Sequence, residues 1–186
     1  MKLYIGLVGE KGGGKETFVQ FLKEAAKDKS VAHIRSSDIL AETLSMYDLP
    51  LTRSNLQHIA IVLDDGFGKG TVTSAVAKQM REHPADIVIF DGVRWHTDAG
   101  MIKHFENSYL LYIAAPLNTR FERVRSRKEK AGEEGVSFEQ FLKEEQVRTE
   151  IEIPDIGKGA DTVLNNDGSL QDFKKKVEDW YSSVIK

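Results

Sequence analysis

The residues GEKGGGKET, Gly9 to Thr17, fit the pattern G-x-x-x-x-G-K and stand between an apolar run and a helical one. That combination can hold a polyphosphate. Glycines at 12, 13 and 14 let the backbone turn its N–H groups inward around an anion, and the start of the next helix adds the positive end of its dipole. Lys15 supplies a point charge for the outer phosphates. In the usual Walker A pattern a Ser or Thr directly after the lysine gives its hydroxyl to magnesium; here Glu16 holds that position and Thr17 follows it. The competing reading is a glycine-rich turn that merely precedes a helix. Strand, turn, lysine and helix together favour a nucleotide site, with ATP and Mg2+ expected on Gly9, Gly12, Gly13, Gly14, Lys15, Glu16 and Thr17.

A second group able to do chemistry is Asp91, at the end of the apolar run in IVIFDGVRW. Open α/β sheets bind ligands at the carboxyl ends of their strands, so a carboxylate there can hold magnesium directly or through water. Taken alone, Asp91 would be an ordinary turn cap; beside the Lys15 loop it is expected in the metal shell, with Thr17. Arg120, Arg123 and Arg127 recur at spacings of three and four, which sets them along one helical face, with Arg125 pointing elsewhere. Phosphoryl transfer spreads negative charge over several oxygens, and planar guanidinium forks bind such oxygens in pairs. A solvated basic stripe is the bland alternative. His96 and His104 lack the i, i+4 spacing of a metal-binding pair, and Trp95 suits either base stacking or a place in the core or rim.

These residues need a scaffold, and the hydrophobic pattern supplies one. Apolar runs at 3–9, 31–37, 85–91, 108–115 and 160–166 alternate with amphipathic stretches at 16–27, 74–82, 100–105, 119–127 and 170–185. Alternation of this kind predicts a parallel sheet covered by helices. The first, third and fourth runs lack polar alternation and read as central strands; the second is more polar and belongs nearer an edge. Residues 38–73 and 128–159 are too long to be plain connections and read as functional insertions with glycine hinges. At 186 residues the chain closes one core. Its 26 Lys+Arg against 29 Asp+Glu give a net charge of −3, so no bulk positive field draws nucleic acid or anionic lipid. It has no cysteine, which excludes disulfides, thiolate zinc sites and a cysteine nucleophile. No uncharged apolar run approaches the roughly 18 residues of a membrane helix, and LYIGLVG is short for a signal peptide. The expectation is a cytoplasmic protein without membrane or nucleic-acid partners; the sequence leaves its oligomeric state open.

GGGKET resembles the GxGKGT loop of adenylate kinase and its nucleoside monophosphate kinase relatives. On that alignment Thr17 matches their threonine, and Glu16 replaces a glycine, which puts a negative charge close to the polyphosphate. DGVR, ending at Arg94, resembles the DGxxR region of adenylate kinases and, more closely, the DGIR segment of an archaeal family of adenylate-kinase-like and dephospho-CoA-kinase-like proteins. That family continues from its fourth strand into AP-x-x-x-RFERL-x-x-R. Here APLNTRFERVRSR runs from Ala115 to Arg127, followed by a lid-like insert and AD-x-x-x-NNDGSL over 160–170. The resemblance spans nearly the whole chain.

The resemblance implies an α/β three-layer P-loop fold over 1–186, a five-stranded parallel sheet in the order 2-3-1-4-5, an acceptor-binding insertion at about 38–73 and a mobile lid at about 128–150. It further implies an ATP-dependent phosphotransferase whose small-molecule acceptor is a nucleoside or deoxynucleoside monophosphate or dephospho-CoA. Lys15, Asp38, Asp91, Arg94, Arg123 and Arg127 would be catalytic, and Asp38, Arg53 and Arg94 would bind the acceptor. Asp38, in SSDIL after the second strand, fits both an N-cap and a residue that orients the acceptor hydroxyl. Arg148 fits both a return to the phosphates and a surface ion pair. Asp64 and Asp65 stand where the related families often place an arginine. Together with Glu16 they support the alternative of a non-catalytic nucleotide sensor or ATPase-type interaction module; the arginine stripe, Asp38 and the acceptor-sized insertion support the enzyme. The lid stretch is polar at its tip and is expected to bury little.

Overall fold

Runs of branched apolar residues become strands, and the sheet they build has both faces covered. A computed structural model describes residues 2–126 and 137–185. Its strands are β1 (Leu3–Val8), β2 (Val31–Arg35), β3 (Ile87–Val93), β4 (Ser108–Ala114) and β5 (Thr162–Asn165). Among the described residues they form one five-stranded sheet in the order β2-β3-β1-β4-β5, and every neighbouring pair is parallel. The polar second run is indeed an edge, and the three apolar runs are central.

Between β1 and β2 lies α1 (Lys15–Ala25); α2 (Ser36–Met46), α3 (Arg53–Phe67) and α4 (Thr71–Glu82) join β2 to β3. After β3 come α5 (His96–Lys103), then α6 (Leu117–Ser126), α7 (Phe138–Glu145) and α8 (Ile153–Lys158) on the two sides of residues 127–136, and finally α9 (Leu170–Val184). Helix starts follow local chemistry. Thr52, Ser137 and Ser169 each accept a backbone N–H from three residues on, and Gln140 and Asp172 return the bond to complete capping boxes.

The strand period of two sorts the core into two layers. Ile5, Leu7, Ile87, Ile89, Leu111 and Ile113 pack with α1 and α9 through Phe18, Leu22, Phe173 and Val177. Val8, Val88, Phe90 and Leu110 face α4, α5 and α8 through Val76, Met80, Ile102 and Ile156. The alternation breaks once in β3. Leu7 is paired with Asp91 but Val8 with Val93, so Gly92 is an extra residue in the ladder. Its φ of 132° suits glycine alone, and beyond it Val93 joins the layer of Val88 and Phe90 instead of that of Ile87 and Ile89.

Two expectations need correction. Asp38 is not an N-cap: Ser36 already opens α2, so Asp38 lies in the first turn, where its carboxylate accepts from Arg35 Nε at 2.9 Å. The stretch 128–150 was expected to bury little, yet Phe141 is fully buried against Val124, Leu117 and Phe121, and Thr149 and Glu150 are buried too. An amphipathic α7 that seats an aromatic side chain on α6 is an anchored element. The rest of the expected lid, 128–136, and Arg127 lie outside the described residues.

Candidate nucleotide and acceptor site

The loop Gly9–Gly14 leaves the carboxyl end of β1 and runs straight into α1. Gly12 has a φ of 80°, and a Cβ there would stand 2.5 Å from the backbone carbonyl of Arg120. Only glycine fits between the loop and α6. The loop is also held from outside. Buried Asn166, just past β5, donates Nδ2–H to the Gly13 carbonyl at 2.9 Å, and its own Oδ1 accepts from Arg123 Nη2 at 3.2 Å. Arg120 is buried as well; its Nε donates to the Ala115 carbonyl at 3.2 Å and its Nη1 to the Lys11 carbonyl at 3.4 Å. Tyr112 donates to Glu10 Oε1 at 2.9 Å. Burial, ahead of this bond and the Glu10 charge, pushes the Tyr112 hydroxyl up, so it stays a donor.

Lys15 opens α1 and turns back, giving a hydrogen bond of 2.6 Å from Nζ to the Gly9 carbonyl. The residue keeps some exposure, yet its environment is dry enough that burial, the largest influence, lowers the ammonium pKa; Asp91, Glu150 and Glu10 oppose that and Arg94 adds to it. Asp91 projects from the end of β3 at 8% exposure, and His33 Nε2 on the edge strand meets its Oδ2 at 3.1 Å. Burial would raise the carboxyl pKa; the His33 hydrogen bond and the charges of Lys15, His33 and Arg94 override it, and the pKa falls below its ordinary value. An ionised Asp91 therefore stands within the field of Lys15 at the carboxyl end of the central strands.

The acceptor side is built from three elements. Arg94 follows β3, Arg53 starts α3, and Glu150 sits on the turn before α8. Arg94 Nη1 donates to Glu150 Oε1, and Arg53 Nη2 lies 3.5 Å from the same oxygen. Asp98 holds the Arg94 backbone in place by accepting from the N–H groups of Arg94 at 3.0 Å and Trp95 at 3.1 Å. Nearer the loop, Lys11 Nζ is 3.0 Å from Glu144, and Arg120 makes a two-pronged pair with Glu145, with Nη2–Oε2 at 3.2 Å. A cavity of about 140 Å3 lies among these groups, lined by Glu10, Lys11, Arg53, Arg120, Glu145 and Glu150.

The structure thus brings together Lys15, Asp91, Arg94, Arg53 and the glycine loop. Other expected residues stand further out. Glu16 is exposed on α1 beside a surface cleft shared with His33 and Arg35, and Thr17 is half-buried in the same first turn. Asp38 is half-exposed on Arg35. Arg123 is turned toward Asn166, where it holds the support of the loop, and Arg125 pairs at the surface with Glu122 at 2.7 Å. Arg148 forms a forked pair with Asp65, at 3.0 and 2.8 Å. Asp64 faces its own segment, accepting from Gly70 N–H at 3.0 Å and capping the approach to α4. The two aspartates that set this chain apart from its resemblance therefore do structural work away from the loop. Trp95 packs beside Leu40, Ala60 and Val72, and among the described residues no group of three or more His, Asp or Glu side chains is gathered to hold a metal ion.

Sequence reasoning missed His33, Glu150, Asn166 and the Glu10–Tyr112 pair. Asn166 had a signal in the NND that ends a strand run; the others are single polar residues whose partners lie 56, 58 and 102 positions away. The residues present suit a magnesium nucleotide: a cradle too tight for a Cβ at Gly12, a lysine bonded only to loop carbonyl in the hydrogen bonds described, and a buried ionised carboxylate opposite.

A five-stranded parallel sheet in this order, with a glycine loop between the first strand and helix, is the fold of the P-loop kinases. It matches shikimate kinase from Bacteroides thetaiotaomicron with a TM-score of 0.61 at 13% identity, covering 97% of this chain and 98% of that one. A gluconokinase from Sinorhizobium meliloti matches with a TM-score of 0.59 at 11% identity, covering 98% and 93%. In sequence, the chain is similar along 97% of its length to a UPF0200 protein of the archaeon Sulfurisphaera tokodaii, 26% identical and covered to 97% in turn. At these identities the solved structures share the fold with this chain. No family model matches the chain.

Proposed function

We propose that this protein is an ATP- and magnesium-dependent phosphotransferase acting on a nucleotide or nucleotide-like small molecule. The observation that carries the reading is the meeting of Lys15 and its glycine loop with Asp91 and Arg94 at the carboxyl ends of two adjacent strands. The loop N–H groups and Lys15 would hold the β- and γ-phosphates, while Asp91 and Thr17 would hold magnesium. Magnesium, when bound, neutralises charge on the phosphate oxygens. Lys15 must leave the Gly9 carbonyl to reach a phosphate, so the bond of 2.6 Å is a parking position. Arg94 and Arg53 would orient the acceptor, with Asp38 at the rim, and Arg123 would act through Asn166 on the loop. Catalysis of this kind is positioning and charge neutralisation rather than covalent chemistry. The setting is the cytoplasm, which a cysteine-free chain suits, and no helix among the described residues is long and apolar enough to cross a membrane.

Calorimetry with ATP and magnesium, paired with product analysis over nucleoside monophosphates, deoxynucleoside monophosphates and dephospho-CoA, tests the reading. Lys15→Ala should weaken ATP binding about ten- to a hundredfold, the worth of one charge-assisted contact. No binding at millimolar ATP would end the nucleotide reading. Binding with no phosphorylated product would favour a nucleotide sensor, for which Glu16 in the place of the metal-binding hydroxyl speaks.

A further inference from the structure

Glu150 is a carboxylate where an anionic acceptor would need cations. It is 8% exposed, accepts from Arg94 Nη1 and stands 3.5 Å from Arg53 Nη2. Glu144 approaches the other prong of Arg53 at 3.8 Å. The two guanidinium groups expected to bind an acceptor phosphate therefore already face carboxylates of their own chain. Nor does Glu150 ride on a loose segment. Gln57 Nε2 donates to the neighbouring Thr149 Oγ1 at 3.4 Å, Glu152 accepts from the His96 N–H at 3.1 Å, and Ile153 and Ile156 are in the core. The negative charge is a fixed part of the pocket.

A fixed charge discriminates. A monophosphate entering the Arg53–Arg94 pair would be set against a desolvated carboxylate, and like charges repel most where water is excluded. A hydroxyl group carries no such penalty and can even donate to Glu150. Beyond Arg94 a second cavity, of about 180 Å3, has Ile61, Trp95, His96 and Thr97 on its wall together with the charged Asp64, Lys69, Arg148 and Glu152, so it carries charges of both signs beside an indole face on which a ring can stack.

We propose that Glu150 sets the acceptor class: the site takes a molecule that presents a hydroxyl to the γ-phosphate and rejects one that must seat a monophosphate on Arg53 and Arg94. This rests on the phosphotransferase reading. In the transfer, the acceptor oxygen bonds to the γ-phosphorus, the bond from that phosphorus to the bridging oxygen of ADP breaks, and the hydroxyl proton passes to water.

Inorganic phosphate and AMP, used as calorimetric probes on the full chain, need no turnover and so test Glu150 apart from catalysis. Glu150→Gln should bind both about tenfold more tightly than the wild type, because the guanidinium pair loses its resident charge. Adding Arg94→Gln should cancel the gain, which separates this pair from the loop as the binding place, and Glu150→Asp, which keeps the charge, should show none. Glu144→Gln, on the partly exposed helix, leaves the buried turn untouched and should gain about threefold. Unchanged or weaker anion binding in Glu150→Gln and Glu144→Gln would overturn the proposal, as would a wild type that phosphorylates AMP or CMP as readily as dephospho-CoA. A gain in anion binding with no product from any acceptor would sink the transferase reading while upholding Glu150 as guard of the arginines.

Discussion

Replacing Gly12 by alanine should damage the loop by an amount that the geometry sets. At φ 80° an L-residue costs about 1–2 kcal/mol relative to glycine. The added Cβ would also stand 2.5 Å from the Arg120 carbonyl, which is backbone of α6 and cannot rotate away, so the loop or the helix must shift; overpacking of this kind costs about 1–3 kcal/mol. The smaller entropy of the unfolded alanine chain returns about 0.4–1 kcal/mol. The net loss should be about 1–4.5 kcal/mol in urea unfolding. Gly66→Ala is the matched control, since Gly66 lies in α3 with nothing within 4 Å of its missing Cβ; it should stabilise by about 0.5–1 kcal/mol. A Gly12→Ala loss under about 0.5 kcal/mol, or one no different from Gly66→Ala, would refute the packing of loop against α6.

Phe141→Ala should release α7 from α6: hydrogen exchange across 138–145 should accelerate, by a free energy of about 3 kcal/mol, while β1 and β3 keep their protection, and equal acceleration everywhere would defeat the view of α7 as a separately anchored element. Asp91 has a folded pKa below its ordinary 3.8, so its stabilising effect is complete above that value and fades as pH falls through the depressed one; the stability cost of Asp91→Asn should be larger at pH 7 than at about pH 3, and an equal cost at both would show that the His33 and Lys15 contacts do not favour the charged form. Asn166→Ala should weaken ATP binding about five- to thirtyfold through loss of the bond to the Gly13 carbonyl, with the midpoint of sheet unfolding little changed; intact affinity would remove Asn166 from the support of the loop.

The parts of the site that read from the sequence are those fixed by neighbours in the chain. Lys15 and the glycines form one unbroken stretch, and Asp91 closes a strand whose apolar run is plain, so both could be placed from local pattern. The strand order came through resemblance, because the choice of sheet neighbours depends on contacts that composition does not encode. His33 sits in a short, polar edge strand whose local pattern does not single it out; only the pairing of β2 with β3 brings it to Asp91. Glu150 lies among other glutamates in a stretch read as a lid, where nothing local distinguishes the one that turns inward. Arg148 illustrates the same limit, since its partner Asp65 is on α3 and neither residue is remarkable in its own segment.

The extra residue at Gly92 acts as a half-step change of phase in the central strand. Up to Asp91 the odd-numbered side chains of β3 look toward α1, which is why the carboxylate shares the Lys15 side; after Gly92 the parity is reversed, and Val93 looks the other way. Asp91 and Arg94 therefore act as a set whose relative orientation is written in one glycine rather than in either functional residue. Deleting Gly92 would leave every chemical group in the chain intact and still reverse the parity of everything between the bulge and α5, Arg94 included. Counting residues between the aspartate and the arginine thus matters as much as their identity: the segment D-G-V-R carries a geometric instruction, one register step, inside what reads as a chemical motif.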